Sequence, residues 1–589
     1  MSTHEHDGER VERADEGAAR DEATGASESS GDARAASLDV SPDELRELAR
    51  VFNELTLDYL ESPTALPVFP ETSAEAVAEI FRRPLPSEGA DARSLARDCA
   101  EIVKHSRQSR HPRMYGYVAS PAAPAAALAS LFAAALNQNV TSWRSAPAAT
   151  EMERTVVRWL AEMIGYARDA SSDACGGLLT SGGSMANLNA LFVAHRTKAR
   201  EAAHANTQDA RRDAQDTSHD DTLSAQRSGT QDDSPGRAHD ASLGHTQDAS
   251  SGDEHDPSRE GLWNAGAPMT VYASDQIHLS VTKAADILGL GREQVRLVPS
   301  DEKFRLDVRA LRERIEADAS AGLRPFCVVA SAGTVSTGAV DPLADVARVA
   351  RERSLWFHVD GAYGALAASV ESKRELFAGL GEADSVSLDP HKWLYAPIDC
   401  GCLILRDPLR ARAAFAGTEE GYIKIFERQE DEAFAFWDYG LELSRPFRAL
   451  KVWTILRYYG ARRVSASIEE DCALADYMAG QVGASDNFEL LAPATLGICC
   501  FRYVPAEARR ELEGTNEEEM RERINAQLDE LNARVMHRVQ RGGVAYLSNA
   551  VLRGRFALRA SITNFRTTRR DILVTLDAVR RAAREVEKE

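Results

Sequence analysis

A lysine lies in one of the least polar stretches of the chain, SVSLDPHKWLYAPIDCG at residues 385–401. Lys392 follows a strand-like run that ends in Asp389-Pro390, and Trp393 comes directly after it. Lysine is rarely buried without a partner, and an amine removed from water should have a lowered pKa. A neutral amine forms Schiff bases readily, so the stretch predicts a reactive lysine. The alternative is a lysine whose head group reaches water beyond an apolar stem.

Two further side chains that could do chemistry follow predicted strands. Asp360 ends the apolar strand of LWFHVDGAYG, where a buried carboxylate needs a partner such as the N–H of a pyridinium ring. Its alternative role is to cap the next helix. His278 follows the strand MTVYAS, where open α/β sheets bind ligands, and its ring could stack on a flat heteroaromatic group. An ordinary loop histidine is the simpler interpretation.

A glycine-bearing turn, Ser181-Gly182-Gly183-Ser184, opens an apolar-periodic helix in GLLTSGGSMANLNAL. Free backbone N–H groups and the positive helix end would bind a phosphate, and the Ser184 hydroxyl would add a donor. Taken alone, the two glycines indicate only a tight turn. A phosphate turn, a stacking histidine, a pyridinium aspartate and a Schiff-base lysine in one chain together predict a site for pyridoxal 5'-phosphate (PLP).

The elements that must position these residues are strands and helices that alternate between about 263 and 406. The strands are short β-rich runs with few charges, namely MTVYAS, VRLVPS, PFCVVAS, LWFHVD, DSVSL and CGCLILR. Such a pattern is typical of a mostly parallel sheet covered by helices on both faces. After about 450, a long helix is followed by helices mixed with strands. The predicted fold class is therefore α/β, with a smaller α+β C-terminal domain.

Composition divides the chain of 589 residues into four segments. They are a disordered acidic tail at 1–40, an N-terminal helical segment at 41–120, a large PLP-binding domain at 121–449 and a small α+β domain at 450–589. The helical segment starts with a capping box in which Ser41 and Glu44 satisfy each other's backbone N–H groups. A disordered insert at 204–262 is predicted to interrupt the large domain. Its five irregularly spaced histidines favour a solvated linker over a metal site.

The net charge of −21 is concentrated in the tail and the insert, which carry −7 and −8. No basic face indicates nucleic-acid binding. No apolar run reaches the roughly 18 residues of a membrane span, and the polar N-terminus is not a targeting peptide, so a cytoplasmic location is expected. The eight cysteines, which include Cys400-x-Cys402 and Cys499-Cys500, are expected to be buried thiols in a reducing compartment.

Three motifs of this site, DPHKW, HVDGAYG and SDQIH, resemble those of the group II PLP-dependent decarboxylases. That family includes the aromatic L-amino acid and glutamate decarboxylases. The resemblance extends from HPRMYGYVASPAAP to GRFALRASITNFRTT and covers about 43–200 and 263–583. It implies the type I PLP fold and an obligate homodimer whose active sites lie at the interface.

The resemblance also implies roles for individual residues. Lys392 matches the lysine that forms the Schiff base, Asp360 the partner of the pyridinium nitrogen, and His278 the histidine that stacks on the ring. Ala362 matches the residue on the ring's other face. The remaining cofactor-binding residues would be Gly183, Ser184, His391 and Thr334. The family often has a second threonine directly after the position of Thr334, where this chain has Val335.

The resemblance implies loss of the substrate carboxylate as CO2, after which a proton returns to Cα. In the aromatic decarboxylases a loop tyrosine of the partner subunit supplies this proton. Counting back from Phe447 without gaps places Phe436 at that position, with Tyr439 and Tyr422 nearby. Relatives with phenylalanine there are aldehyde synthases, so an aldehyde is the alternative product. His278 is another candidate donor.

The candidate substrate residues are Tyr117, Trp143 and Phe436. The first two lie in segments that line the family's pocket, which favours an aromatic amino acid as the substrate, although both could be core aromatics instead. Arg113 and Arg144 lie beside these segments and could pair with an acidic substrate, so an acidic or diamino acid is the alternative. A third hypothesis is a non-catalytic relative that binds PLP or a partner. The intact site residues argue against it.

Overall fold

The computed structural model describes residues 38–167, 175–221, 266–415 and 434–589, with 205–221 described by their backbone. These residues form two compact units, one from the described part of 1–58 with 86–100, the other from 59–85 with 101 onwards. Almost all of the predicted acidic tail lies outside the described residues, as does 222–262 of the insert. Residues 204–221 are helical, so the helix that starts at Gly183 continues into the stretch predicted to be disordered.

A seven-stranded sheet forms the centre of the larger unit. Its strands are β1 (Gly176–Thr180), β2 (Met269–Ser274), β3 (Val295–Val298), β4 (Arg324–Ser331), β5 (Trp356–Asp360), β6 (Ser385–Leu388) and β7 (Gly401–Leu405). Their spatial order is β1-β7-β6-β5-β4-β2-β3. Strands β3, β2, β4, β5 and β6 pair in parallel, whereas β7 is antiparallel to both neighbours. The predicted mostly parallel α/β sheet is confirmed.

Strands β2, β5 and β6 are buried along their whole length because helices cover the sheet, as is usual for parallel strands. The described helices are α1 (Pro42–Glu61), α2 (Ala74–Phe81), α3 (Ala92–Lys104), α4 (Pro124–Leu136), α5 (Pro147–Met163), α6 (Gly183–Asp221), α7 (Leu279–Ile287), α8 (Val308–Ser320), α9 (Leu343–Glu352), α10 (Pro408–Phe415), α11 (Ala449–Tyr459), α12 (Ala461–Gly483), α13 (Ala506–Gly514), α14 (Glu518–Arg541) and α15 (Arg569–Val586). None of them is long and apolar enough to cross a membrane.

The start of α1 shows the predicted capping box. The Glu44 N–H donates to Ser41 Oγ at 3.2 Å, and the Ser41 N–H donates to Glu44 Oε2 at 2.9 Å. Each side chain thus satisfies a backbone donor that the helix leaves without a partner.

The C-terminal part of the chain contains a second, antiparallel sheet. Its strands are β8 (Phe488–Leu490), β9 (Ile498–Tyr503), β10 (Ser548–Leu552) and β11 (Arg555–Ser561), in the order β10-β11-β9-β8. Helices α12, α14 and α15 pack against it and bury a separate hydrophobic core. A smaller α+β region therefore follows the large sheet, while the predicted boundary at 450 stays a prediction.

Sheet topology brings the chemistry-bearing residues to one edge. Because β1 and β6 are each antiparallel to β7, they run in the same direction as the other parallel strands. The carboxyl ends of β1, β2, β4, β5 and β6 therefore meet at one edge, which is where open α/β sheets bind ligands. Asp360 is the last residue of β5, and the residues that follow the other ends are Gly183, His278, Thr334 and Lys392.

His195, within α6, makes the stability of the fold sensitive to acid. Its ring is buried and packs edge-on against Phe326, with ring centroids 5.8 Å apart. Burial, with help from the charges of Arg196 and Arg324, lowers its pKa to about 4. The unfolded chain, with an ordinary histidine pKa, binds the proton first as the pH falls. We expect this difference in pKa to lower the free energy of unfolding by about 2 kcal/mol when the pH falls from 7 to 5.

Urea unfolding of His195→Leu at these two pH values measures the effect. The variant should lose stability less steeply than the parent between pH 7 and pH 5. His537→Leu, a change of an exposed histidine in α14, is the matched control and should keep the parent's slope. Equal slopes for all three proteins would contradict the assignment.

Candidate active site

A cleft of about 410 Å³ opens at this edge of the sheet, and Lys392 lines it. Its side chain is 21% exposed, and Nζ lies 2.8 Å from Asp389 Oδ2. The apolar surroundings predicted for this amine are therefore incomplete, because a carboxylate that is 4% exposed faces it. The two residues belong to one turn, in which the Lys392 N–H donates to the Asp389 carbonyl at 2.8 Å.

The residues after Lys392 fix this turn against the rest of the protein. Trp393 stacks on Tyr363, with ring centroids 4.7 Å apart, and its Nε1–H donates to Asp471 Oδ2 at 3.0 Å. The Tyr395 hydroxyl donates to the same oxygen at 2.8 Å. Tyr395 has a φ of 57°, which is uncommon for a bulky residue, so these contacts hold a strained backbone in place.

Asp360 is buried at the end of β5 and accepts three hydrogen bonds, which leaves one of its lone pairs available. Its Oδ2 accepts from Asn187 Nδ2 at 2.8 Å, and its Oδ1 accepts from Ser387 Oγ and the Ala362 N–H, each at 3.2 Å. The side chain also lines the cleft, and the residue is 7% exposed. Three donors stabilise the charged form of a carboxylate that burial alone would disfavour.

His278 lines the cleft and caps α7. Its Nδ1 lies 2.8 Å from Ser280 Oγ and accepts the Ser280 N–H at 3.2 Å. Burial lowers its pKa, partly offset by the charge of Asp360. The imidazole is therefore a half-buried, neutral group at the carboxyl edge of the sheet.

The glycine turn before α6 packs tightly against the other cleft residues. A Cβ on Gly183 would lie 2.6 Å from Ala362 Cβ and 3.0 Å from Asp389 Oδ2, so only glycine fits there. One on Gly182 would lie 3.4 Å from His391 Cε1. Burial lowers the pKa of His391. Ser184 is exposed and lines the cleft beside them.

The loop after β4 supplies another wall of the cleft. Thr334 is buried, and its Oγ1 lies 3.0 Å from Thr337 Oγ1 and accepts the Ala339 N–H at 3.2 Å. The next residue, Val335, is 37% exposed and also lines the cleft, so an apolar side chain stands where the family often has a second threonine.

The three candidate substrate residues do not line the cleft within the described chain. Tyr117 is 55% exposed and lies beside Tyr546, with ring centroids 6.1 Å apart. Trp143 is half-buried. Phe436 is fully buried in a short 3₁₀ turn, under the Arg445 guanidinium at 4.0 Å from the ring centroid. Tyr439 stacks on Phe434, with ring centroids 5.1 Å apart, and Tyr422 lies outside the described residues.

Sequence reasoning missed three polar residues that touch the predicted ones. Asp389 contacts Lys392, Asn187 contacts Asp360, and Ser280 contacts His278. The signal for Asp389 was its place three residues before the lysine, in the same turn. Asn187 lies one helical turn beyond the phosphate turn, between the apolar residues Ala186 and Leu188, which was a usable signal for a polar contact.

The cleft fits PLP by its chemistry. Asp360 offers an acceptor for a ring N–H, Lys392 an amine for the aldehyde, and the first turn of α6 unpaired backbone N–H groups for the phosphate. In the described part of the chain, Asp389 Oδ1 is buried with no hydrogen-bond partner. A bound group must satisfy such an atom, so the cleft is built to be filled.

Comparison with known proteins gives the same answer. The model of the pyridoxal-dependent decarboxylase conserved domain matches residues 75–224 and 262–504, more than half of the chain. An aromatic-L-amino-acid decarboxylase of Bacillus atrophaeus is 29% identical over 93% of this chain and 97% of its own length. A phenylacetaldehyde synthase of Petunia hybrida is 26% identical over 89% of this chain and 92% of its own length.

A solved structure shares the fold over nearly the whole chain. The crystal structure of Oryza sativa TDC with PLP and tryptamine superimposes with a TM-score of 0.75 and is 27% identical, covering 93% of this chain and 99% of that one. The resemblance seen in the sequence and its PLP cofactor are confirmed. The chain therefore belongs to the pyridoxal-dependent decarboxylase family and is a PLP-dependent amino acid decarboxylase.

Proposed function

We propose that this enzyme converts an aromatic L-amino acid to the corresponding amine and CO2. The observation that carries the proposal is the single cleft that brings Lys392, Asp360 and His278 together at the carboxyl edge of the sheet. Relatives that cover most of the chain include proteins named aromatic-L-amino-acid, tryptophan and tyrosine decarboxylase. Their names support an aromatic substrate.

The cleft residues divide the work among themselves. Bound PLP supplies an aldehyde that condenses with amines and a ring that withdraws electrons from Cα. Lys392 provides the amine that holds the cofactor, and Asp360 keeps a proton on the ring nitrogen. The turn at Gly183 and Ser184 binds the phosphate, with His391 beside it. Ala362 and His278 would hold the ring between them, and Thr334 would contact it.

An acidic substrate is disfavoured by the state of one arginine. Arg113, which could have paired with a substrate carboxylate, is 3.1 Å from Asp571 Oδ1 and also donates to the Val544 carbonyl at 2.7 Å. Its charge is therefore already neutralised. Val335 presents an apolar surface in the cleft, which suits an aromatic ring.

Amine formation requires a proton at Cα, and Phe436 cannot influence that step from its own chain's cleft. Its ring is enclosed beneath Arg445 and is not part of the cleft wall. His278, which lines the cleft, is the proposed donor of this chain; because burial lowers its pKa, the ring must take up a proton before it can give one to Cα. The phenylacetaldehyde synthases among the relatives keep the aldehyde as the alternative product.

A panel of amino acids tests the substrate class. With purified holoenzyme, we expect kcat/KM for L-tryptophan, L-tyrosine or L-phenylalanine to exceed that for L-glutamate and L-2,4-diaminobutyrate by about 100-fold or more, because an apolar wall cannot pair with a second charge. CO2 release is the readout. Faster decarboxylation of L-glutamate would overturn the aromatic assignment.

We further propose that the enzyme is a homodimer that uses α4 in its interface. This helix exposes an apolar face made of Leu128, Leu131, Phe132 and Leu136, with exposed fractions of 40–61%. An apolar face of this kind is typical of a protein–protein contact.

The predicted cytoplasmic location is supported by eight cysteines that are all free thiols, seven of them buried.

Phe132→Glu is expected to weaken the dimer, because it places a charge in the centre of that face. Light scattering should show monomers at micromolar protein, and decarboxylation should fall with the dimer fraction. Leu409→Glu, a change of another exposed leucine outside α4, is the matched control and should leave the dimer intact. A Phe132→Glu protein that stays dimeric would rule out this interface.

A further inference from the structure

Asn187 lies at the centre of a buried hydrogen-bond network behind the cleft. Its Nδ2 is 2.8 Å from Asp360 Oδ2 and 2.9 Å from Ser280 Oγ, and its Oδ1 is 3.0 Å from His358 Nε2. The residue is 1% exposed. One amide group therefore contacts the aspartate, the serine beside the cleft histidine, and a second histidine.

The carboxylate fixes the direction of every bond in this network. Asp360 accepts only, so Asn187 must present its NH2 group to it and its oxygen to His358. The proton of His358 then lies on Nε2. Because burial lowers the pKa of His358 to about 4, its ring is neutral and Nδ1 must accept.

The far end of the network agrees with this direction. His358 Nδ1 lies 2.8 Å from Ser385 Oγ, which also receives the Nε1–H of Trp356 at 2.9 Å. Trp356 can only donate, so the Ser385 hydroxyl is free to donate to His358. Every donor from Trp356 onwards thus points towards Asp360.

The second amide hydrogen of Asn187 reaches the cleft histidine through the Ser280 hydroxyl. It occupies Ser280 Oγ as an acceptor, which leaves the Ser280 hydroxyl to donate to His278 Nδ1. The Ser280 N–H points to the same nitrogen. Neutral His278 therefore carries its proton on Nε2.

We infer that Asn187 is a positioning residue that sets the orientation of the Asp360 carboxylate and, together with the Ser280 N–H, supports the Nε2–H tautomer of His278. The inference rests on the proposed roles of these two residues towards PLP. Asn187 acts through them and is not itself a catalytic residue. Without its amide, Asp360 would lose its 2.8 Å bond at Oδ2 and keep only the two 3.2 Å bonds at Oδ1, so the contact with a protonated ring nitrogen would weaken.

A cofactor analogue separates this role from a general loss of structure. The apoprotein is titrated with PLP and with a carbocyclic analogue in which C–H replaces the ring nitrogen. The parent should prefer PLP, because only PLP can donate to Asp360. In Asn187→Leu that preference should fall about tenfold, since a hydrogen bond to a charged group is lost from the carboxylate.

Two further variants complete the test. Asn189→Leu removes another buried amide of α6, one that contacts Leu441 outside the cleft, and should keep the parent's preference. His358→Leu leaves Asn187 in place but removes the donor that orients its amide, and should lower the preference about threefold, which keeps the inference testable if Asn187→Leu does not fold. The inference would be overturned if Asn187→Leu and His358→Leu each weakened the binding of PLP and of the analogue by the same factor. A parent protein without any preference for PLP would instead overturn the role proposed for Asp360.

Discussion

Replacing Lys392 by alanine is expected to lower the rate of decarboxylation by about 10³-fold or more. The chain loses the amine that holds the cofactor and that the substrate amine replaces. Borohydride should no longer attach the cofactor to the protein. The change also leaves Asp389 without its partner at 2.8 Å, so a small loss of stability should accompany it. Steady-state CO2 release and mass spectrometry of the reduced protein measure the two effects.

Lys303→Ala is the matched control, because this exposed lysine lies in a loop away from the cleft. It should retain full activity and full cofactor attachment. Turnover by Lys392→Ala near the parent's rate would show that another amine holds the cofactor, and the assignment of Lys392 would fail.

Arg445→Met is expected to lower the free energy of unfolding by about 3–5 kcal/mol, the usual cost of breaking a buried ion pair. Arg445 and its partner Glu153 each have side chains that are 1% exposed. The guanidinium also donates to the carbonyls of Val140 and Leu179 at 2.8 and 2.7 Å, and Glu153 accepts the Leu179 N–H at 2.8 Å. The substitution leaves the two carbonyls without this donor and the Glu153 carboxylate without its charge partner, although Glu153 still accepts the Leu179 N–H.

Urea unfolding monitored by fluorescence measures this change. Arg374→Met is the control, since it breaks an exposed pair with Glu371 and should change stability by less than about 1 kcal/mol. The pair in the core also holds Leu179, just before the phosphate turn, so Arg445→Met should weaken PLP binding as well. An Arg445→Met protein as stable as the control would contradict the account of this pair.

The fold class was predictable because buried parallel strands leave a local signal. Runs such as MTVYAS and LWFHVD are short, apolar and separated by helices, and both proved to be buried strands. Strand order was not predictable, since β1 and β6 meet only through β7, whose place depends on long-range pairing. The helical continuation of α6 to Asp221 was missed because the stretch has few large apolar residues.

The candidate site residues that could be predicted are those that lie at the end of a strand or at the start of a helix. Lys392, Asp360 and His278 were predicted from their residue types and their places at strand ends taken together, and the sheet edge explains their proximity. Their contacts could not be named, because Asn187 lies far away in sequence and meets Asp360 only when α6 packs on the sheet. Phe436 was placed by counting residues, which gives no information about the Arg445 side chain that covers it.

The most direct test of the central claim is the fate of Cα in heavy water. Purified holoenzyme is incubated in D2O with an aromatic L-amino acid, and the products are analysed by mass spectrometry alongside assays for CO2, ammonia and peroxide. We expect one CO2 per amine, a single deuterium at Cα of the amine, and no peroxide. Aldehyde, ammonia and peroxide in place of the deuterated amine would contradict this claim.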